Sequence, residues 1–276
     1  MTLLDRTYRV ASGVRRRARF QAWAAKFDFH LKRDGSRLIL DAPHGASFET
    51  PPSYHPVSHD PPGNGAPPSV TLRIGRNVHL GRGLTIEYRS RGQNVLALGD
   101  DCYLQDSNRF VLDGGRITMG PRGRLRSFAV LKSSGDLIIG EQVILAYNTV
   151  VHCAERIELH DLVGISDRST IVDSNHIVDG SDVYYYDQPI AATPVVLERN
   201  VIVSANVMIL RGAHIERNAQ IAGGAIVLKG RYPAGWLIGG NPAEPIRPLG
   251  PSGKTEPPAA GTVGDGHQAP GDGAAL

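Results

Sequence analysis

His176 closes the segment Ile171-Val172-Asp173-Ser174-Asn175-His176 and stands just before residues 177–196, which break the pattern on either side of them. An imidazole titrates near neutral pH and can take a proton from a hydroxyl. Asp173 and Asp179 lie close by in sequence, and a carboxylate can fix an imidazole tautomer. Tyr184, Tyr185 and Tyr186 fall in the middle of the interruption and suggest a ring-stacking wall for an acceptor. His152, His160, His176 and His214 also supply the imidazoles a three-histidine zinc site needs. Cys153 follows His152 directly, but adjacent strand residues point to opposite faces, so the pair does not read as nucleophile and base.

The elements that position these groups are read from a six-residue period. Residues 197–230 divide into LERNVI, VSANVM, ILRGAH, IERNAQ, IAGGAI and VLKG. The first positions are Leu197, Val203, Ile209, Ile215, Ile221 and Val227, all aliphatic. The fifth are Val201, Val207, Ala213, Ala219 and Ala225, all small or β-branched. This is neither a long period-2 strand nor a 3.6-residue helix. Each six predicts one short flat strand and one corner, and three flats close a triangular coil. Asn200, Asn206, Gly212, Asn218 and Gly224 at the fourth position suit the left-handed backbone a corner demands. Sixes recur from Ile74 and Ile139, with irregular corners over 90–136. Nothing between them is long enough for crossover helices, so a parallel sheet of the α/β kind is set aside. The fold expected is all-β: a left-handed parallel β-helix, a hexapeptide-repeat solenoid.

The flanks read differently. Residues 1–42 are expected to form a helix from residue 5 to about 28, then a hairpin around Asp34-Gly35. Leu4, Tyr8, Ala11, Phe20, Trp23 and Phe27 would make the helix's apolar stripe, opposite Arg15, Arg16, Arg17 and Arg19. A solvated basic face is favoured there over contact with a membrane surface. Residues 43–69, rich in Pro, His and Gly, read as a linker, and the histidines in or near it (His30, His44, His55, His59) are not read as a metal site. The solenoid is assigned 70–249, and 250–276 reads as a disordered tail.

The chain has 276 residues, 30 basic and 27 acidic, with a net charge of +3. That balance does not argue for nucleic acid. Two cysteines, Cys102 and Cys153, make no disulfide framework. With no bilayer-length apolar run and no apolar leader, the reading is a cytoplasmic protein.

The repeats, the segment IVDSNH ending at His176, VIVSANVMILRGAHIERNAQIAGGAIVLKG, and the closing IGGNPAEPIR together resemble the hexapeptide-repeat acyltransferases, most of all the maltose/galactoside and polysaccharide O-acetyltransferase branch. The resemblance covers about residues 70–249 and is strongest from 137 onward. It implies a homotrimer with active sites between subunits, acetyl-CoA as co-substrate, no metal, and a carbohydrate or other small hydroxyl-bearing acceptor. The family's catalytic histidine falls on His176, its backbone contacts to the pantetheine arm near Ala205 and Gly223, and its phosphate-facing cations on Lys229 and Arg247. There are departures. Leu228-Lys229-Gly230 replaces a usual Thr-Lys-Asp, and Ser204 a usual glycine. The acceptor-contacting asparagine falls on Ala146, leaving Asn148 two residues away as the substitute. The competing expectations are a zinc-dependent lyase of the γ-carbonic anhydrase type on the same fold, and a non-catalytic scaffold.

Overall fold

The computed structural model describes residues 3–33, 35–56, 69–89 and 92–250. The expected tail, and the His59 part of the expected linker, lie outside the described residues. Among the described residues three parallel sheets form the faces of a prism. The first face runs from Arg37–Asp41 to Gly230–Tyr232 in nine strands, and the third from Ser53–Pro56 to Ile226–Val227 in eight. The second face has ten strands, beginning at Ser47–Phe48. Its last strand, Ala243–Pro248, folds back antiparallel on Trp236–Gly240. The chain visits first, second and third face in turn, so each circuit is one coil of the left-handed β-helix that the six-residue spacing predicts.

The first-position residues stack as predicted. On the second face Phe48, Leu80, Leu104, Leu125, Leu145, Ile165, Val203, Ile221 and Ile238 sit over one another in register. All are buried. Each fully buried aliphatic side chain contributes roughly 1.5–3 kcal/mol relative to exposure, so the ladder is the main stabiliser of the stack. The fourth-position residues Asn200, Asn206, Gly212, Asn218 and Gly224 all have φ between 59° and 77°. Earlier corners place Arg122, Phe128, Leu162 and Arg168 at φ of 56–66°, where a non-glycine residue costs about 1–2 kcal/mol.

The coils are not of one length. Leu125, Leu145 and Ile165 stack at 20-residue steps, and Val203 and Ile221 at 18. The extra residues sit at the edge between third and first faces, where coils pass very close. A Cβ on Gly135 would lie 2.2 Å from the Glu155 carbonyl oxygen. These insertions produce the irregular corners of 90–136.

The N-terminal end departs from expectation. The helix spans Leu3–Arg33, longer than predicted. No hairpin forms at Gly35. Instead Arg37–Asp41 pairs in parallel with Ser69–Ile74 and opens the first coil. Ser47–Phe48 and Ser53–Pro56 of the expected linker are likewise strands of that coil. Proline-rich sequence is tolerated there because Ser53–Pro56 is the terminal strand of its sheet. Phe20, Trp23, Ala24, Phe27 and Leu31 face the open end of the solenoid and are buried on it. Phe27 stacks on Tyr54 at 4.3 Å, and Trp23 Nε1 donates to the Pro52 carbonyl at 2.8 Å. The helix is thus the cap that an end coil requires.

Candidate functional site

The register break expected after His176 is a hairpin thrown out from the third–first edge. Ser174–His176 pairs antiparallel with Ile190–Ala192. The coil then resumes, with Ile171 stacked under Ile209. Asp173 holds the root. Its fully buried carboxylate accepts the backbone N–H groups of Ala154, Glu155 and Arg156 at 2.7, 2.8 and 2.8 Å. Thr193 N–H closes the root from the other side, donating to the Asp173 carbonyl at 2.8 Å. Asp173 is therefore committed to backbone. Asp179 is committed too, accepting from Ser181 N–H and Oγ–H. Neither carboxylate orients His176.

The loop is ordered by its own bonds. Gln188, 7% exposed, accepts from Asp179 N–H and donates to the Val183 carbonyl. The tyrosines gather round the imidazole: the His176 centroid lies 5.5 Å from Tyr185, edge-on, and 5.8 Å from Tyr186. All three tyrosine rings are at least half exposed. His176 Nδ1 is buried and has no hydrogen-bond partner among the described residues. An imidazole nitrogen without a partner keeps either its lone pair or its N–H open to a further group.

Lys229 shares this edge. Thr193, Gly212 and Gly230 form a column along it, linked by backbone bonds of 3.1 and 3.2 Å. A Cβ on Gly212 would fall 2.8 Å from Lys229 Cγ, so the glycine makes room for the lysine stem. Arg211 stands beside it, its guanidinium 3.4 Å from Thr193 Oγ1. Sequence reasoning did not single out Arg211. The signal was available, since Leu210-Arg211-Gly212 repeats as Leu228-Lys229-Gly230 one coil later.

Ala205, Gly223 and Asn148 occupy a different edge, between second and third faces. Their backbone explains why small residues there are informative. At four corners a third-position N–H points outward and an aspartate one coil above accepts it: Asp100 from Arg76, Asp106 from Arg82, Asp161 from Glu141 and Asp167 from Tyr147, all within 2.7–3.0 Å, with Asp106 and Asp167 on this same edge. Above Ala205 stands Gly223, and above Gly223 stands Gly240, by the register of the second face. Neither has a side chain to cover the N–H below. The edge becomes a bare track of amides at its C-terminal end, which suits a thin ligand carrying carbonyls. Asn148 is an exposed corner residue with φ of 57°, stacked in one column with Arg168 and Asn206. Arg247 lies on the fold-back strand opposite Leu237, exposed. One chain thus carries His176 with Lys229 on one edge, and Ala205, Gly223 and Asn148 on another, with the third face between.

Among the described residues, His152, His160 and His214 do not converge on His176 within the chain. His160 bonds Glu158 at 3.1 Å and His214 bonds Glu198 at 2.7 Å. His152 lies on the third face, where burial, then the neighbouring Lys132 charge, holds its pKa below the usual value. Among the described residues, no three of His, Cys, Asp and Glu are grouped to hold a metal ion. Cys153 points inward while His152 points outward, and burial pushes its thiol up to about 12. It is no nucleophile.

No protein-family model matches the chain. Over 72 residues it is 35% identical to 2,3,4,5-tetrahydropyridine-2,6-dicarboxylate N-acetyltransferase of Staphylococcus aureus (strain bovine RF122 / ET3-1), which is 26% of this chain and 30% of that one. The chain therefore spans under a third of the length of the curated relatives it matches. Among solved structures, it is similar to a mutant of AntD, an N-acyltransferase from Bacillus cereus in complex with dTDP and coenzyme A, at TM-score 0.40 and 17% identity, covering 64% of this chain and 83% of that one. It is also similar to a maltose O-acetyltransferase from Clostridium difficile 630, at TM-score 0.37 and 19% identity, covering 54% and 67%. These structural likenesses are too slight to bear on the reaction.

Proposed function

We propose that this protein is an acyltransferase that moves an acetyl group from acetyl-CoA to a hydroxyl of a carbohydrate or similar small acceptor. The observation that carries the reading is the pairing of two features: His176 at the root of the extruded loop, and the uncovered amide track at Ala205 and Gly223. Acetyl-CoA bound along that track would place its pantetheine carbonyls against the open N–H groups, with Lys229 and Arg247 available to its phosphates. Neutral His176 takes the acceptor hydroxyl proton as that oxygen attacks the thioester carbonyl. The tetrahedral oxyanion collapses with cleavage of the C–S bond, and the imidazolium returns its proton to the leaving thiolate. No acyl-enzyme is needed.

Because the two features lie on different edges of one prism, the site is completed between copies. The loop edge of one subunit meets the amide edge of the next, and a closed ring of three uses every edge pair once. Exposed Phe128 and Tyr147 on the amide edge, and Ile202 and Met208 beside it, are consistent with such a contact.

The test is subunit complementation. His176→Ala and Gly223→Asp are each expected to give inactive protein. Mixed and reassembled, they should recover roughly a quarter of wild-type acetyl-CoA turnover, because some interfaces then pair an intact His176 with an intact track. No recovery from subunits shown to have exchanged would exclude a shared site. No coenzyme A binding by wild type would exclude the acyltransferase.

A further inference from the structure

The capping helix has two faces, and the solenoid uses only one. At 100° per residue, buried Phe20, Trp23, Ala24, Phe27 and Leu31 share one side. Val14, Ala18, Ala22, Ala25 and Phe29 fall on the opposite side and are all exposed, Val14 and Phe29 by 64% and 61%. Exposed Arg15, Arg19, Lys26 and Arg33 form a basic row along one flank of that outer stripe. From Val14 to Arg19 every residue is exposed, although the Arg19 guanidinium lies 5.0 Å over the Phe48 ring of the first coil.

Charge is segregated as well. Residues 6–27 hold seven basic residues and no acidic one, in a chain whose net charge is +3. The rest of the chain is therefore net negative. At the base of the basic row lies a cavity of about 550 Å³, lined by Arg19, Trp23, Lys26, Phe48, Tyr54 and His55. Its mixture of cations and rings suits an anionic headgroup with apolar atoms behind it.

We propose that the outer face of this helix docks the protein on a bilayer surface rich in anionic phospholipid. Charge complementarity selects this occupant. A second copy would bring a like-charged row against this one, and a neutral apolar partner would leave the cations unanswered. Val14 and Phe29 enter the interface between headgroups while the arginines and lysine meet phosphates. No helix among the described residues is long and apolar enough to cross a membrane, so the contact is peripheral. His176 leaves the solenoid five coils beyond the capped end, about 25 Å away at the spacing of parallel strands. Docking thus leaves the loop root well separated from the lipid along the solenoid, and the inference is independent of the acyltransferase reading.

The experiment is co-sedimentation of the full chain with two sets of vesicles: pure phosphatidylcholine, and phosphatidylcholine containing about 30% phosphatidylglycerol. Wild type is expected to partition onto the anionic vesicles only, and to be released as salt shortens the screening length. Each cation near such a surface is worth about fivefold in partitioning, so the R15E/R19E/K26E variant should bind at least about 100-fold more weakly. These side chains are exposed, and an unchanged melting curve checks that the variant is folded. Three results would overturn the proposal. They are no binding of wild type to anionic vesicles at low salt, equal binding by the folded variant, or tighter binding to a 20-base-pair DNA duplex than to the vesicles.

Discussion

Replacing Asp173 by alanine tests whether the loop that carries His176 is held by a buried carboxylate or merely begins near one. The side chain is fully buried and accepts three backbone N–H groups from the coil below. Removing it orphans all three donors. Each unsatisfied donor costs about 1–3 kcal/mol, and these bonds are part-buried, so the lower half of that range applies. The total is about 3–6 kcal/mol. For a chain of this size the unfolding entropy is about 0.6 kcal/mol/K, which makes the expected fall in Tm about 5–10 °C. Asp173→Asn should lose about half as much, since one carbonyl oxygen remains to accept while the new NH2 faces a donor. Thermal unfolding and amide exchange over residues 154–156 and 173–193 are the assays. Exchange should rise first at the loop root. A Tm within 2 °C of wild type for Asp173→Ala, with activity lost, would refute this reasoning and return Asp173 to the role of an orienting partner for His176.

Three further outcomes follow from the same geometry. Gly223→Asp restores at that edge the aspartate that covers the N–H below in other coils; it should leave Tm unchanged or slightly raised while weakening coenzyme A binding at least tenfold, read by calorimetry. Gly135→Ala forces a Cβ to within 2.2 Å of the Glu155 carbonyl oxygen and should cost about 1–3 kcal/mol, whereas Gly164→Ala, whose Cβ meets nothing nearer than 3.7 Å, should stay within about 0.5 kcal/mol in urea unfolding. His152 has a folded-state pKa below its ordinary 6.5, so the unfolded chain binds the proton more readily and stability falls as pH drops through 6.5. In His152→Gln that part of the pH dependence should be missing from Tm measured between pH 7 and pH 5.

How much of this is legible depends on how strictly each flat and its corner keep to six residues. From Leu197 to Val227 every inward and corner position was readable, because aliphatic side chains and Asn or Gly each answer one steric demand. Earlier coils add residues at the third–first edge and place Phe128, Leu162 and Arg168 where a left-handed backbone is needed, so neither period nor corner composition marked them. The first coil escapes the sequence reading because its third-face strand, being terminal, tolerates proline and so reads as a linker. His176 was visible as the last residue before the interruption. The commitment of Asp173 to backbone was not, since its three donors come from the preceding coil, 17–19 residues away. That the candidate residues divide between two edges follows from which corner each occupies, and that required the register.

The most direct test of the central claim measures coenzyme A affinity and single-turnover acetyl transfer on wild type and His176→Ala side by side. The two proteins should bind coenzyme A equally, and the variant should transfer acetyl at least about 100-fold more slowly. A variant that transfers acetyl as fast as wild type, or a wild type that binds no coenzyme A, would contradict the account.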